Sequence, residues 1–221
     1  MMTSEALITD NSTKLPVMES FYTLQGEGFH QGRAAYFIRL GGCDVGCVWC
    51  DVKESWDASA HPTFSIQAIV EKAKQEIGLG NNQPATNSKP LVVITGGEPL
   101  LHQLDALTTA LQQAGFETNI ETSGSSPLSG QWNWVCLSPK KFKAPLPEVV
   151  VAASELKVVV FNRHDFDWAE TYAAQVSPDC KLYLQPEWDK KEAVTPLIID
   201  YIKANPKWEL SIQIHKYINV P

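Results

Sequence analysis

Short apolar runs recur along the chain, each ending in a small polar or glycine-rich motif, and stretches of helical period separate them. Ala34–Leu40 runs into Gly41-Gly42, Leu91–Thr95 into Gly96-Gly97-Glu98-Pro99, and Glu117–Glu121 into Thr122-Ser123-Gly124. Further runs lie at 134–138, 155–160, 181–185 and 211–215, with Ser138-Pro139-Lys140 and Gln185-Pro186 closing two of them. Runs of this length suit strands. Ile66, Ile69, Ala73 and Ile77 recur at helical spacing behind a Ser65 cap and stop at Gly78; Leu104, Leu107, Leu111 and Ala114 do the same ahead of Gly115. Stretches near 165–176 and 193–204 are also predicted to be helical. Strands alternating with helices predict an α/β fold of mostly parallel strands, layered or curved into a partial, open TIM-like barrel with its helices outside. Such folds build their sites at the C-terminal ends of the strands, where these polar motifs stand.

The 221 residues are 44% hydrophobic, enough for one sizeable core. The sequence predicts a flexible start over 1–17, a single domain over 18–221, and a surface loop at 78–90, where Gly, Asn and Pro accumulate without an apolar period. Eighteen Lys and Arg against 25 Asp and Glu give a net charge of -7 with no basic run, which argues against a nucleic-acid partner. No apolar stretch approaches the roughly 18 residues of a membrane span, and Met1–Thr13 lacks the pattern of a signal peptide. A soluble, cytoplasmic protein is expected.

Three of the five cysteines fall in Gly42-Cys43-Asp-Val-Gly-Cys47-Val-Trp-Cys50. Thiolates are soft ligands for iron–sulfur clusters or zinc. Three on one loop can hold three corners of a 4Fe-4S cubane and leave the fourth iron without a protein ligand, and Gly46 lets the loop turn between the first two. A structural zinc site needs a fourth ligand, for which Cys136, Cys180, His61 or His30 are available. Glycines at 96 and 97 permit a close backbone approach, and Glu98 can accept from an ammonium group or simply begin a helical turn. Ser123 and Ser138 suit ligand contacts or local turn caps. Trp49 suits shielding of a cluster or packing of its loop.

The Cys-x-x-x-Cys-x-x-Cys loop after one strand, with Gly96-Gly97-Glu98-Pro99 after the next, resembles the radical S-adenosylmethionine superfamily. The resemblance implies a 4Fe-4S cluster on Cys43, Cys47 and Cys50, S-adenosylmethionine on its open iron, and Gly96, Gly97, Glu98, Glu121, Ser123, Ser138 and Lys140 around that cofactor. Phe21-Tyr-Thr-Leu-Gln25-Gly-Glu27-Gly28, Arg39-Leu-Gly-Gly-Cys43, Cys47-Val-Trp-Cys50-Asp51 and the ending His215-Lys-Tyr-Ile-Asn-Val-Pro221 together resemble the family of 7-carboxy-7-deazaguanine synthases from about residue 18 onward. That family turns 6-carboxy-5,6,7,8-tetrahydropterin into 7-carboxy-7-deazaguanine for queuosine and related deazapurines. By this resemblance Gln25 and Glu27 contact the pterin, Arg39 pairs with the substrate carboxylate, His215 lines the opposite wall, and the terminal carboxylate of Pro221 closes over the pterin's polar edge. It also implies Mg2+, a homodimer, and an electron donor such as flavodoxin or ferredoxin.

One position departs from the family pattern: Val52 follows Cys50-Asp51 where a magnesium-binding Thr is usual. No general base is assigned from the sequence. Two other functions fit parts of the pattern, a radical-generating activase acting on a glycine of a partner protein and a non-catalytic iron–sulfur or zinc protein. The first would not need Gln25, Glu27, Arg39, His215 and Pro221 together, and the second would not cleave S-adenosylmethionine.

Overall fold

The computed structural model describes residues 13–78 and 89–221, so most of the predicted loop at 78–90 and residues 1–12 of the predicted flexible start lie outside the described residues. The chain divides into two compact units. The first comprises residues up to Tyr22, Ala35–Ile120 and Ser129–Asn133; the second comprises Thr23–Ala34, Glu121–Leu128 and Trp134–Pro221.

The first unit's strands are β1 (Lys14–Leu24, running on into the second unit), β2 (Ala34–Leu40), β3 (Thr63–Ser65), β4 (Leu91–Gly96) and β5 (Glu117–Thr122), ordered β3-β1-β2-β4-β5. Lys14–Val17, placed by the sequence in the flexible start, therefore belong to a strand, with Leu15 and Val17 buried. β1 pairs antiparallel with β3, whereas β2, β4 and β5 are parallel, Ala35 opposite Leu91 and Leu91 opposite Glu117. This register aligns Phe37, Val93 and Asn119 on one face and puts Arg39 beside Thr95. On the other face Tyr36, Ile38 and Leu40 are buried.

Two helices serve this unit, α1 (Ile66–Ile77) and α2 (Asp105–Gln113). The Ser65 side chain accepts from the Ala68 N–H at 3.3 Å, and Gly78 ends α1 in the left-handed region at φ 77°, as the capping pattern predicts. Helix α1 buries Ile69, Val70, Ala73 and Ile77, and α2 buries Leu107 and Leu111. Each fully buried aliphatic side chain contributes about 1.5–3 kcal/mol.

The second unit carries a parallel series β6 (Trp134–Leu137), β7 (Glu155–Val160), β8 (Lys181–Pro186) and β9 (Glu209–Leu210) in that order. Helices α3 (Pro147–Ala152), α4 (Asp165–Ala173) and α5 (Lys191–Ala204) make the crossovers that parallel pairing demands. The sequence predicts a strand over 211–215, but the structure ends β9 at Leu210. The Ser211 N–H still reaches Leu184 O at 3.0 Å; the chain then turns, Ile214 N–H to Ile212 O at 3.0 Å, into α6 (Ile214–Ile218). His215 is consequently a helical residue.

Candidate active site

In the first unit the cysteine loop leaves β2 through Gly41 and Gly42, the latter at φ 104°. It is sewn down by backbone bonds from Gly42 N–H to Ser55 O (2.6 Å) and Cys43 N–H to Trp56 O (3.1 Å). His102 Nε2 donates to Gly41 O at 2.8 Å and His61 Nε2 to Glu54 O at 2.9 Å, so the His61 considered for zinc serves the loop backbone. Cys47 is buried, Cys43 and Cys50 are half-buried, and Gly46 makes the turn between Cys43 and Cys47 at φ 74°. Burial pushes the Cys43 thiol pKa up, and negative charge on Glu98 and Cys50 adds to the shift.

The glycines at 96 and 97 admit a close approach of protein backbone. A Cβ on Gly96 would stand 2.1 Å from Leu40 O, and one on Gly97 2.2 Å from Gly42 O and 2.8 Å from Cys43 Cβ. Both are therefore needed for the end of β4 to lie against the start of the cysteine loop. Glu98 is buried, its N–H donates to Gly42 O at 2.8 Å, and its carboxylate accepts from Leu100 N–H at 3.1 Å, which is the helix-start role. Arg39 donates through Nε to Glu19 Oε1 at 2.7 Å. Among the described residues no group of three or more His, Cys, Asp or Glu side chains is placed to hold a metal ion. The fit of this loop to an iron–sulfur cluster is one of donor chemistry: three thiols on eight residues, anchored at Cys43 by backbone bonds.

The second unit holds the other predicted site residues. The segment Gln25–Phe29 is fixed at every position. Gln25 is buried; its Nε2 donates to Glu121 Oε1 at 2.9 Å and its Oε1 accepts from Glu27 N–H at 3.1 Å. Gly26 O accepts from Ile214 N–H at 3.0 Å, Gly28 N–H reaches Ser211 Oγ at 3.0 Å, and Phe29 N–H reaches Glu155 Oε2 at 3.2 Å. A Cβ on Gly26 would lie 2.1 Å from His215 Nδ1, and one on Gly28 1.9 Å from Glu155 Oε1. The two glycines of Gln-Gly-Glu-Gly thus admit His215 on one side and Glu155 on the other.

Glu27 itself bonds Lys157 Nζ through Oε2 and accepts from Gln213 Nε2 at 2.7 Å through Oε1. Burial opposes its ionisation, but the Lys157 charge and hydrogen bond, the Gln213 bond and the nearby His215 outweigh it and pull the carboxyl pKa down to about 2. Glu155 takes the opposite course: burial raises its pKa although Trp134 Nε1 donates to Oε2 at 3.0 Å. Ser123 Oγ bonds Ser125 Oγ at 3.1 Å, and Lys140 Nζ donates to Ser138 Oγ at 2.6 Å, so both serines make local turn contacts. Pro221 is exposed beyond α6, where Val220 N–H returns to His215 O at 3.2 Å.

Sequence reasoning passed over Glu155, Lys157, Ser211 and Gln213. The signal was present in Glu155-Leu-Lys157-Val-Val-Val160, where two ionisable residues share one face of a strand that is otherwise apolar. Charges at such depth need partners.

A three-thiol loop after one strand, packed through a glycine pair against the end of its parallel neighbour, is the signature of a radical S-adenosylmethionine enzyme. No family model matches the chain. It is 50% identical to the 7-carboxy-7-deazaguanine synthase of Flavobacterium psychrophilum over the whole of both chains, and 46% identical to that of Synechocystis over 93% of each. The enzyme of the same description from Escherichia coli is 37% identical over 93% of this chain and 98% of its own. The crystal structure of QueE from Escherichia coli superposes with a TM-score of 0.76 and 32% identity, covering 90% of this chain and 94% of that one. The chain belongs to the 7-carboxy-7-deazaguanine synthase family, and its fold class is the α/β partial barrel expected from the sequence.

Proposed function

We propose that the chain forms 7-carboxy-7-deazaguanine from 6-carboxy-5,6,7,8-tetrahydropterin, with loss of ammonia, on the route to queuosine and other deazapurines. The observation that carries the substrate side is the Glu27 carboxylate, held at both oxygens by Lys157 and Gln213 within a fully bonded Gln25–Phe29 segment. An ionised carboxylate accepts two parallel N–H groups from an aminopyrimidinone edge. Gln25 supports the segment that presents it, Arg39 receives the substrate carboxylate, His215 stacks behind Gly26, and Pro221 lies at the pterin's polar edge.

Cys43, Cys47 and Cys50 hold the 4Fe-4S cluster. With S-adenosylmethionine, such a cluster supplies a carbon-centred radical able to take a hydrogen atom from the substrate. Gly96 and Gly97 keep the cysteine loop seated, and Glu98, Glu121, Ser123, Ser138 and Lys140 bind the polar groups of S-adenosylmethionine. The protein's own contribution is orientation and exclusion of stray hydrogen donors. The family resemblance further assigns a homodimer and reduction by flavodoxin or ferredoxin. Among the described residues no helix is long and apolar enough to cross a membrane.

Val52 has no side-chain oxygen, and its carbonyl already accepts from Ser55 Oγ (2.7 Å) and Ser55 N–H (3.1 Å). The exposed Asp51 is then the loop's oxygen donor for Mg2+, with substrate oxygens and water completing the octahedron. Magnesium is expected to raise turnover over the chelated enzyme; equal rates would reject this role.

The deciding experiment is anaerobic reconstitution, reduction, and incubation with S-adenosylmethionine and the tetrahydropterin, followed by chromatography. Deazapurine and 5′-deoxyadenosine are both expected to form. 5′-Deoxyadenosine without deazapurine would reject the substrate, and neither product would favour a non-catalytic metal protein.

A further inference from the structure

Strand β7 presents Glu155 and Lys157 on the face opposite Leu156, Val158 and Val160, and the two are only 3% and 4% exposed. Replacing both members of a buried ion pair by apolar residues is often neutral for stability, so packing alone gives no reason for a lysine here. What the lysine reaches is informative. Its ammonium bonds Glu27 Oε2 while Gln213 occupies Oε1, and the Glu27 side chain keeps 15% of its surface exposed. Each carboxylate oxygen therefore has one fixed donor and lone-pair capacity left over. The other charged or titratable groups acting on this pair are Glu121 of β5, Cys136 of β6, Glu155 of β7 itself and His215 of α6. Three carboxylates and a thiol thus surround one ammonium, and its hydrogen bond goes to the carboxylate in the Gln-Gly-Glu-Gly segment.

We propose that Lys157 is a positioning residue: its ammonium holds Glu27 ionised and, with Gln213, turned so that it receives the N–H groups of the substrate's aminopyrimidinone edge. This rests on the reading of Glu27 as a substrate contact. The lysine also sorts the carboxylates, since Glu27 beside it is held well below the usual carboxylate range while burial pushes Glu155 up.

The test compares Lys157→Met, Glu27→Gln and the double variant in the full chain, with Lys157→Gln as a second neutral replacement should the methionine variant fold poorly. In the reconstituted enzyme, Lys157→Met is expected to raise the KM for 6-carboxytetrahydropterin about tenfold with kcat nearly unchanged. The double variant should be no worse than Glu27→Gln. Independently of turnover, urea unfolding is followed from pH 7 to pH 2.5. A lowered carboxyl pKa stabilises the fold fully above its ordinary value of 4.5, and that contribution is lost as pH falls toward about 2. The wild type should therefore lose more stability across this window than Glu27→Gln, and the Lys157 variants should lack that excess. Effects of K157M and E27Q on KM that multiply in the double variant, or an unchanged acid loss in the Lys157 variants, would overturn the proposal. If E27Q alone leaves KM at the wild-type value, the substrate reading of Glu27 falls, and the unfolding arm decides the role of Lys157.

Discussion

Gly97→Ala isolates a single steric demand at the cysteine loop. The added methyl carbon would stand 2.2 Å from Gly42 O and 2.8 Å from Cys43 Cβ. A carbon seeks about 3.5 Å or more from such neighbours, so the Gly42–Cys43 backbone must withdraw by roughly 1 Å. That movement strains the 2.8 Å bond from Glu98 N–H to Gly42 O. Overpacking costs about 1–3 kcal/mol and a weakened hydrogen bond about 1 kcal/mol, so a loss of about 3 kcal/mol is expected. For a chain of this size that lowers Tm by about 6–12 °C. The methyl displaces Cys43, the first of the three proposed cluster ligands, so iron per chain after reconstitution should fall as well. Gly32→Ala is the comparison: Gly32 sits at φ 84° with nothing within 4 Å of a Cβ, so it costs about 1 kcal/mol in backbone strain and leaves iron unchanged. Thermal unfolding and an iron assay suffice. A Gly97→Ala protein that melts within 2 °C of wild type (~0.7 kcal/mol) and takes up full iron would refute the account of why this position is glycine.

Serine at Cys43, Cys47 or Cys50 should abolish bound iron, whereas serine at the buried Cys136 or Cys180 should retain it, measured as iron per chain. Glu155→Gln should be at least as stable as wild type at pH 7, with the difference closing as pH falls toward 4.5. The raised Glu155 pKa means that the fold favours its neutral form, and wild-type stability declines as pH rises through it; an E155Q protein less stable at pH 7 than at pH 4.5, relative to wild type, would contradict this.

Local chemistry was the part of the molecule most legible in the sequence. Ser65 and Gly78 bracket α1 because caps act within a turn or two, and Gly46 and the cysteines declare their loop because their spacing is short. Strand β1 was missed, since Lys14–Leu24 mixes buried and exposed positions and has no turn signal at its start. His215 was misplaced because Leu210, Ile212 and Ile214 alternate like a strand while the chain in fact turns at Ile212. The glycines at 96 and 97 were legible as a close approach, but sequence does not say that the backbone of Leu40 and Gly42 is among what approaches. Lys157 was hidden because its partner lies 130 positions away.

That separation has a consequence for biosynthesis. Gln25–Phe29 leaves the ribosome before its distant partners Glu121, Glu155, Lys157, Ser211, Gln213 and Ile214. The segment must wait, with Glu27 solvated and uncommitted, until the last of these emerges. Shorter nascent chains can carry the complete cysteine loop while still lacking the groups that fix Glu27. The order of synthesis thus makes the cysteine loop available first and the bonded setting of the Glu27 carboxylate last.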